Sequence, residues 1–270
     1  MKLALTIQTP EVEQPSPVSL LSGTFEEKLE KAAKLGADGV ELSPLDPAVL
    51  DADSIRANLK ETGLEVAAIG TVGLGLAGIT LLHADPDVAA QARARMRDMI
   101  DFAAKVGSPL VTVGSFRGRL ASVGADGRGQ LATLLGEAGI LAGSRGVRLA
   151  LEPMTHFMTD IVANAEEGLA FLDEIGQPAV GLLLDTCHMI TDESSWSQPF
   201  QRVMDAGRLW HVHVADNNRL APGRGLIEFR PIVATLKELG YTGYLSVEVL
   251  AKPDPDTAAQ DAIDHMRPLL

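Results

Sequence analysis

Seven glycines in this chain share one context. Gly36, Gly63, Gly107, Gly146, Gly176, Gly207 and Gly240 each close a helix-like stretch and precede a short apolar run. Glycine accommodates the left-handed residue just past a helix C-terminus, so each marks the end of a helix and the approach to a strand. The runs that follow are Gly39–Leu42, Leu64–Ile69, Leu110–Val113, Val147–Leu151, Val180–Leu184, Leu209–Val214 and Tyr244–Val249. With Lys2–Ile7 at the start they make eight strands. The stretches between carry the helical period: Phe25, Leu29 and Ala32; Val88, Ala92, Met96, Met99 and Ala103; Phe229, Ile232, Val233, Leu236 and Leu239.

The strands are nearly unbroken apolar runs, as in a parallel sheet covered on both faces. Eight strand–helix units in 270 residues predict an α/β fold, a (β/α)8 TIM barrel forming a single domain over residues 1–270. An open doubly wound sheet would want a glycine-rich turn after the first strand, and Gln8-Thr9-Pro10-Glu11 is not one. Two loops after strands are long enough to act as lids: Gly70–Asp85, and Gly114–Gly129 with Arg117 and Arg119 in it.

Charge narrows the partners. A net charge of −13 repels a phosphate backbone, so no nucleic-acid partner is expected. The one cysteine, Cys187, allows no internal disulfide and fits a reducing compartment. No run of about 18 apolar residues offers a membrane span, and Met1–Ile7 has the alternation of a strand without the form of a secretion signal. The expectation is a cytoplasmic protein without a membrane partner.

The chemistry gathers at the C-terminal ends of the later strands. Strand five ends at Glu152-Pro153, strand six at Asp185-Thr186-Cys187-His188, strand seven at His213, and strand eight carries Glu248. A single carboxylate at a strand end often just caps the next helix. Four consecutive strands delivering Glu, Asp, His and Glu to one mouth is another matter, because three carboxylates there repel one another unless a divalent cation holds them together. Three oxygens and one imidazole nitrogen suit Mn2+ first, with Co2+, Mg2+ or Zn2+ as alternatives.

His211 points the same way as His213 but sits deeper, which casts it as a supporting donor behind the ligand rather than the ligand itself. His188 and Arg219 lie in loops within reach of anything bound at the metal. Gly223-Arg224-Gly225 is too short to be a phosphate loop, and Arg93, Arg95 and Arg97 read as a solvated helix face.

These motifs resemble the xylose isomerase-like barrel superfamily, in its sugar phosphate isomerase/epimerase branch. The likeness to ketose 3-epimerases and keto-sugar-acid epimerases runs from about Gly39 to Leu250. It is sharpest at Leu151-Glu152-Pro153, Asp185-Thr186-Cys187-His188-Met189, the run from His211 to Arg219, and Ser246-Val247-Glu248. The resemblance implies Glu152, Asp185, His213 and Glu248 as metal ligands, Glu152 and Glu248 as the catalytic acid/base pair, and His188 and Arg219 as substrate-binding residues. It also implies a small sugar or keto-sugar as substrate, and a homodimer or homotetramer.

One run departs from the family pattern. Where relatives carry Asn-Arg-Tyr/Phe-Glu, this chain has Thr155-His156-Phe157-Met158, so His156 stands at the arginine's place on the substrate side and Met158 replaces a carboxylate. The expected reaction is 3-epimerisation of a ketose or keto-sugar acid through an enediolate. An aldose–ketose isomerase or a dehydratase of the inosose or dehydroshikimate type would use the same ligands. Endonuclease IV-like DNA repair wants more histidines and a basic face, and a non-catalytic sugar-binding protein would need no metal.

Overall fold

The computed structural model describes residues 1–270. Its strands are β1 (Lys2–Gln8), β2 (Gly39–Ser43), β3 (Glu65–Ile69), β4 (Leu110–Val113), β5 (Arg148–Leu151), β6 (Val180–Asp185), β7 (Leu209–Val214) and β8 (Tyr244–Val247). They pair in chain order as a closed parallel barrel, β8 returning to β1 through Lys2 opposite Tyr244 and Leu5 opposite Val247. Long helices alternate with them, and all seven punctuating glycines adopt positive φ, from 66° to 86°. The chain is a (β/α)8 TIM barrel.

Strand ends differ from the sequence expectation by one or two residues. β6 extends to Asp185, whose pairing with His213 continues the ladder, while β8 stops at Val247. Beyond Val247 the backbone leaves β7 and bonds instead to the following loop, Leu250 N–H donating to the Arg219 carbonyl at 2.7 Å.

Alternation along the strands separates two cores. Leu182 and Leu184 join the apolar layer between barrel and helices, whereas Leu183 belongs to a small separate cluster with Ala68, Leu110 and Ala150. Residues two apart share a strand face. Leu183 and Ala150 therefore form an apolar floor directly beneath Asp185 and Glu152.

The two long loops are stitched to each other rather than free. Leu81 and Leu82 N–H groups donate to the Phe116 and Arg117 carbonyls at 2.9 and 3.1 Å. Gly118 has no room for a side chain here, since a Cβ would lie 2.2 Å from the Leu82 carbonyl oxygen. Arg117 is fully buried, donating to the main-chain carbonyl of Glu152 and, at 3.4 Å, to that of Val162. Arg117 thus anchors the loop beneath the mouth and does not ride on a lid, whereas Arg119 is exposed. No helix is long and apolar enough to cross a membrane.

Candidate active site

The four strand ends meet. One donor atom from each of Glu152, Asp185, His213 and Glu248 lies within 4.8 Å of the others, and all four residues are buried. His213 Nδ1 stands 3.7 Å from Glu152 Oε1, 3.9 Å from Asp185 Oδ2 and 3.7 Å from Glu248 Oε2. Asp185 also caps the short helix Thr186–Asp192, accepting from Cys187 N–H at 2.8 Å. The helix-cap role and the place in the cluster coexist because the carboxylate has two oxygens, one for each. Gly114 leaves room for the Glu152 carboxylate, since a Cβ there would lie 2.3 Å from Glu152 Oε2.

Arg219 balances part of the charge. Its guanidinium donates to Asp185 Oδ2 at 2.5 Å and to Glu248 Oε2. Burial disfavours the Asp185 carboxylate, but Arg219, His188 and His213 outweigh that and hold its pKa below the usual range. Burial prevails at Glu248 and pushes its carboxyl up to about 7, against His213 and Arg219. Burial likewise disfavours the charged His213 ring, yet Glu41 and Glu248 lift its pKa well above the ordinary value.

Within the four-residue cluster two atoms remain orphaned. Glu152 Oε1 and His213 Nδ1 are buried without a hydrogen-bond partner, and both face the gap between the carboxylates. Unpaired buried polar atoms are costly. An unpaired carboxylate oxygen and an unpaired imidazole nitrogen beside two further carboxylates make a donor set that fits a divalent cation.

Arg219 owes its place to an internal scaffold. It adopts φ 61°, and the loop around it is tied to the buried Asp216. Asp216 accepts from the N–H groups of Asn217, Gly223, Gly225 and Ile227 at 2.8 to 3.0 Å. The Pro222–Gly225 turn wraps a carboxylate of its own chain, so its amides are not free to cradle a phosphate.

The cluster opens into a cavity of about 460 Å³, a size that takes a small ligand. Glu152, His188, His213, Arg219 and Glu248 reach its wall. Pro17, Val18, Val72, Leu76, Met158 and Leu250 line it as well. His188 is 5% exposed, its Nε2 3.8 Å from Glu152 Oε1 and its Nδ1 without a partner; burial is the main cause that holds its pKa down.

His156 lies elsewhere. It is exposed, and its Nδ1 pairs with Asp192 Oδ1 at 2.6 Å while its own N–H also binds Asp192, so the structure turns it from the cavity and presents Met158 in its stead. A carboxylate thirty-six residues away, at the far end of the Thr186–Asp192 helix, was the stronger partner for that ring.

Sequence reasoning passed over Glu41. It is fully buried on β2, with Oε2 3.0 Å from both His211 Nε2 and His213 Nε2. His211 Nε2 also lies 2.9 Å from Ser246 Oγ. Burial opposes the Glu41 charge, but the two imidazoles outweigh it and hold the carboxyl far below its usual range. The available signal was a charged residue inside an apolar strand, Gly39-Val40-Glu41-Leu42.

The family model described as xylose isomerase-like TIM barrel matches residues 29–269. Among known proteins, the chain is 31% identical over 225 residues to the L-ribulose 3-epimerase of Methylomonas sp. (strain DH-1), covering 80% of this chain and 75% of that one. It is 26% identical to the ketose 3-epimerase of Arthrobacter globiformis, covering 80% and 74%. A solved structure of L-ribulose 3-epimerase superposes with a TM-score of 0.81 at 26% identity, covering 98% of this chain and 94% of that one. With a closed eight-stranded barrel and a family match across nearly its whole length, the chain belongs to the xylose isomerase-like TIM barrel family.

Proposed function

We propose that this protein is a divalent-metal-dependent sugar epimerase that inverts C3 of a ketose or keto-sugar acid. The observation that carries the reading is the buried Glu152–Asp185–His213–Glu248 cluster, with two orphaned donor atoms, at the floor of a ligand-sized cavity. The similarity to ketose 3-epimerases supplies the reaction class. Mn2+ is the preferred ion for three oxygens and one nitrogen.

When bound, the ion supplies Lewis-acid stabilisation of the negative charge that develops on the substrate's oxygens. The protein's own groups do the rest. Glu152 and Glu248 approach the floor from β5 and from just beyond β8, on non-adjacent strands. One removes the C3 proton from one face of the substrate; the other delivers a proton to the opposite face, which inverts the centre. His188 and Arg219, both at the cavity wall, hold the substrate's oxygens and fix which carbon lies between the two carboxylates. The apolar floor of Leu183 and Ala150 keeps water from the carboxylates from below.

The test is a panel of ketoses, inososes and keto acids incubated in deuterated water with Mn2+. The expected product is a 3-epimer with one deuterium at C3. An aldose labelled at the neighbouring carbon would make the protein an isomerase, loss of water a dehydratase, and an inert panel with a metal-free protein a binding protein.

A further inference from the structure

Glu41 and His211 lie behind the cluster and touch neither the cavity nor any proposed substrate contact. A fully buried carboxylate is expensive to retain, and an apolar residue of similar volume would usually be no less stable. The strand nevertheless places Glu41 between two imidazoles that reach across the barrel interior from β7. Neighbours leave it little freedom: a Cβ on Gly70 would lie 2.9 Å from Glu41 Oε1, so the absence of that side chain makes room for the carboxylate.

An imidazole offers two nitrogens, and a hydrogen bond at one decides the role of the other. His213 Nε2 meets both Glu41 oxygens, at 3.0 and 3.3 Å. A carboxylate accepts, so Nε2 is the nitrogen whose proton is held in place, and Nδ1 is the one left to release its proton and offer a lone pair to a cation. That is the unpartnered nitrogen aimed at Glu152, Asp185 and Glu248. His211 meets the same Glu41 oxygen and Ser246 Oγ, which keeps the carboxylate from swinging away. The His211 and His213 rings stand edge to face, centroids 5.3 Å apart, so neither turns without displacing the other.

We infer that Glu41, braced by His211 and Ser246, is a positioning residue that fixes His213 as an Nδ1 ligand and raises the basicity of that nitrogen toward a divalent cation. The assignment rests on the reading of Glu152, Asp185, His213 and Glu248 as the ligand set. Carboxylates behind a ligating histidine typically change metal affinity by about 10- to 100-fold.

Two measurements on the full chain test it. Competition titration with Mn2+ compares wild type with Glu41→Gln, which keeps an acceptor of nearly the same shape without the charge, and with Glu41→Asp, which keeps the charge but draws it back. The expected result is about a 10- to 100-fold loss of affinity in Glu41→Gln, with partial recovery in Glu41→Asp. The second needs no variant: nitrogen-15 histidine spectra of the wild type loaded with Zn2+ should show His213 protonated at Nε2 and metal-bound at Nδ1. A Glu41→Gln protein that is folded by circular dichroism and binds Mn2+ as tightly as wild type would overturn the assignment alone, as would metal on Nε2. Two ions per wild-type chain would overturn it by making Glu41, His211 and His213 ligands themselves. A wild type that binds no divalent ion overturns the ligand set with it, which separates the two failures.

Discussion

From β1 to β4 the barrel gives its cavity mainly shape: Pro17, Val18, Val72 and Leu76 line the wall, and the one buried acid, Glu41, stays below it. From β5 to β8 it gives Glu152, Asp185, His213 and Glu248, with His188 and Arg219 beside them. Both halves have the same strand–helix architecture, so the fold alone does not create the difference. It comes from which residue stands at each strand end, uncharged in the first half and ionisable in the second. Across the barrel interior the halves are joined by the Glu41 bonds to His211 and His213.

The sharpest way to break this division is to remove the ion. Chelation should abolish epimerisation, and Mn2+ should restore it while stabilising the protein by about 2.7 kcal/mol at roughly 100 times its Kd, read as a shift in thermal unfolding. Next in size are Glu152→Gln and Glu248→Gln, each expected to lower kcat by about 10²–10⁴. Exchange of the substrate's C3 hydrogen with deuterated water should fall in step. Wild-type exchange in both variants would take the acid/base role away from the second half.

Gly114→Ala reaches the second half from the first. The new methyl collides with Glu152 Oε2, and misplacing that carboxylate should cost about 10² in kcat, measured with the metal site saturated.

A pH series separates charge from shape. Burial pushes the Glu248 carboxyl up from an ordinary 4.5 to about 7 in the metal-free protein. A raised folded pKa means the folded state holds the proton more tightly than the unfolded one. Its contribution to stability is complete below about 4.5 and is lost as pH rises through about 7. That proton must leave for the carboxylate to bind metal, and the His213 ring must give one up as well, so Mn2+ affinity should climb by at least about tenfold per pH unit up to neutrality. Calorimetric titration across pH reads this directly, and a flat profile would remove Glu248 from the ligand set. The smallest effect belongs to the first half. Leu76→Ala, at an exposed rim position, should change KM by less than about tenfold and leave kcat alone in steady-state kinetics.

The strand-end acids of the second half were legible because a carboxylate closing an apolar strand has few physical excuses, and three with a histidine on four successive strands have fewer. The helix-ending glycines made the barrel legible for a similar reason: a left-handed residue recurs only where a helix repeatedly has to stop. Glu41 was not legible, because both faces of a barrel strand are buried and alternation does not say which one looks inward. Only closure of the barrel brings β2 opposite β7. His156 misled for a local reason: its ring lies within reach of Asp192, thirty-six residues on, a partner that sequence spacing cannot foresee. Arg117 looked like a lid residue because a loop arginine is usually solvated, and its two carbonyl partners come from a different strand–helix unit.

On the proposed reading one divalent ion sits among residues of the second half, with Glu41 acting from behind. An anomalous-difference map at the manganese edge, from crystals grown with Mn2+, tests it most directly. The expected result is a single peak bounded by the carboxylates of Glu152, Asp185 and Glu248 and by Nδ1 of His213. An empty cluster under saturating Mn2+, or a peak among Glu41, His211 and His213, would contradict it.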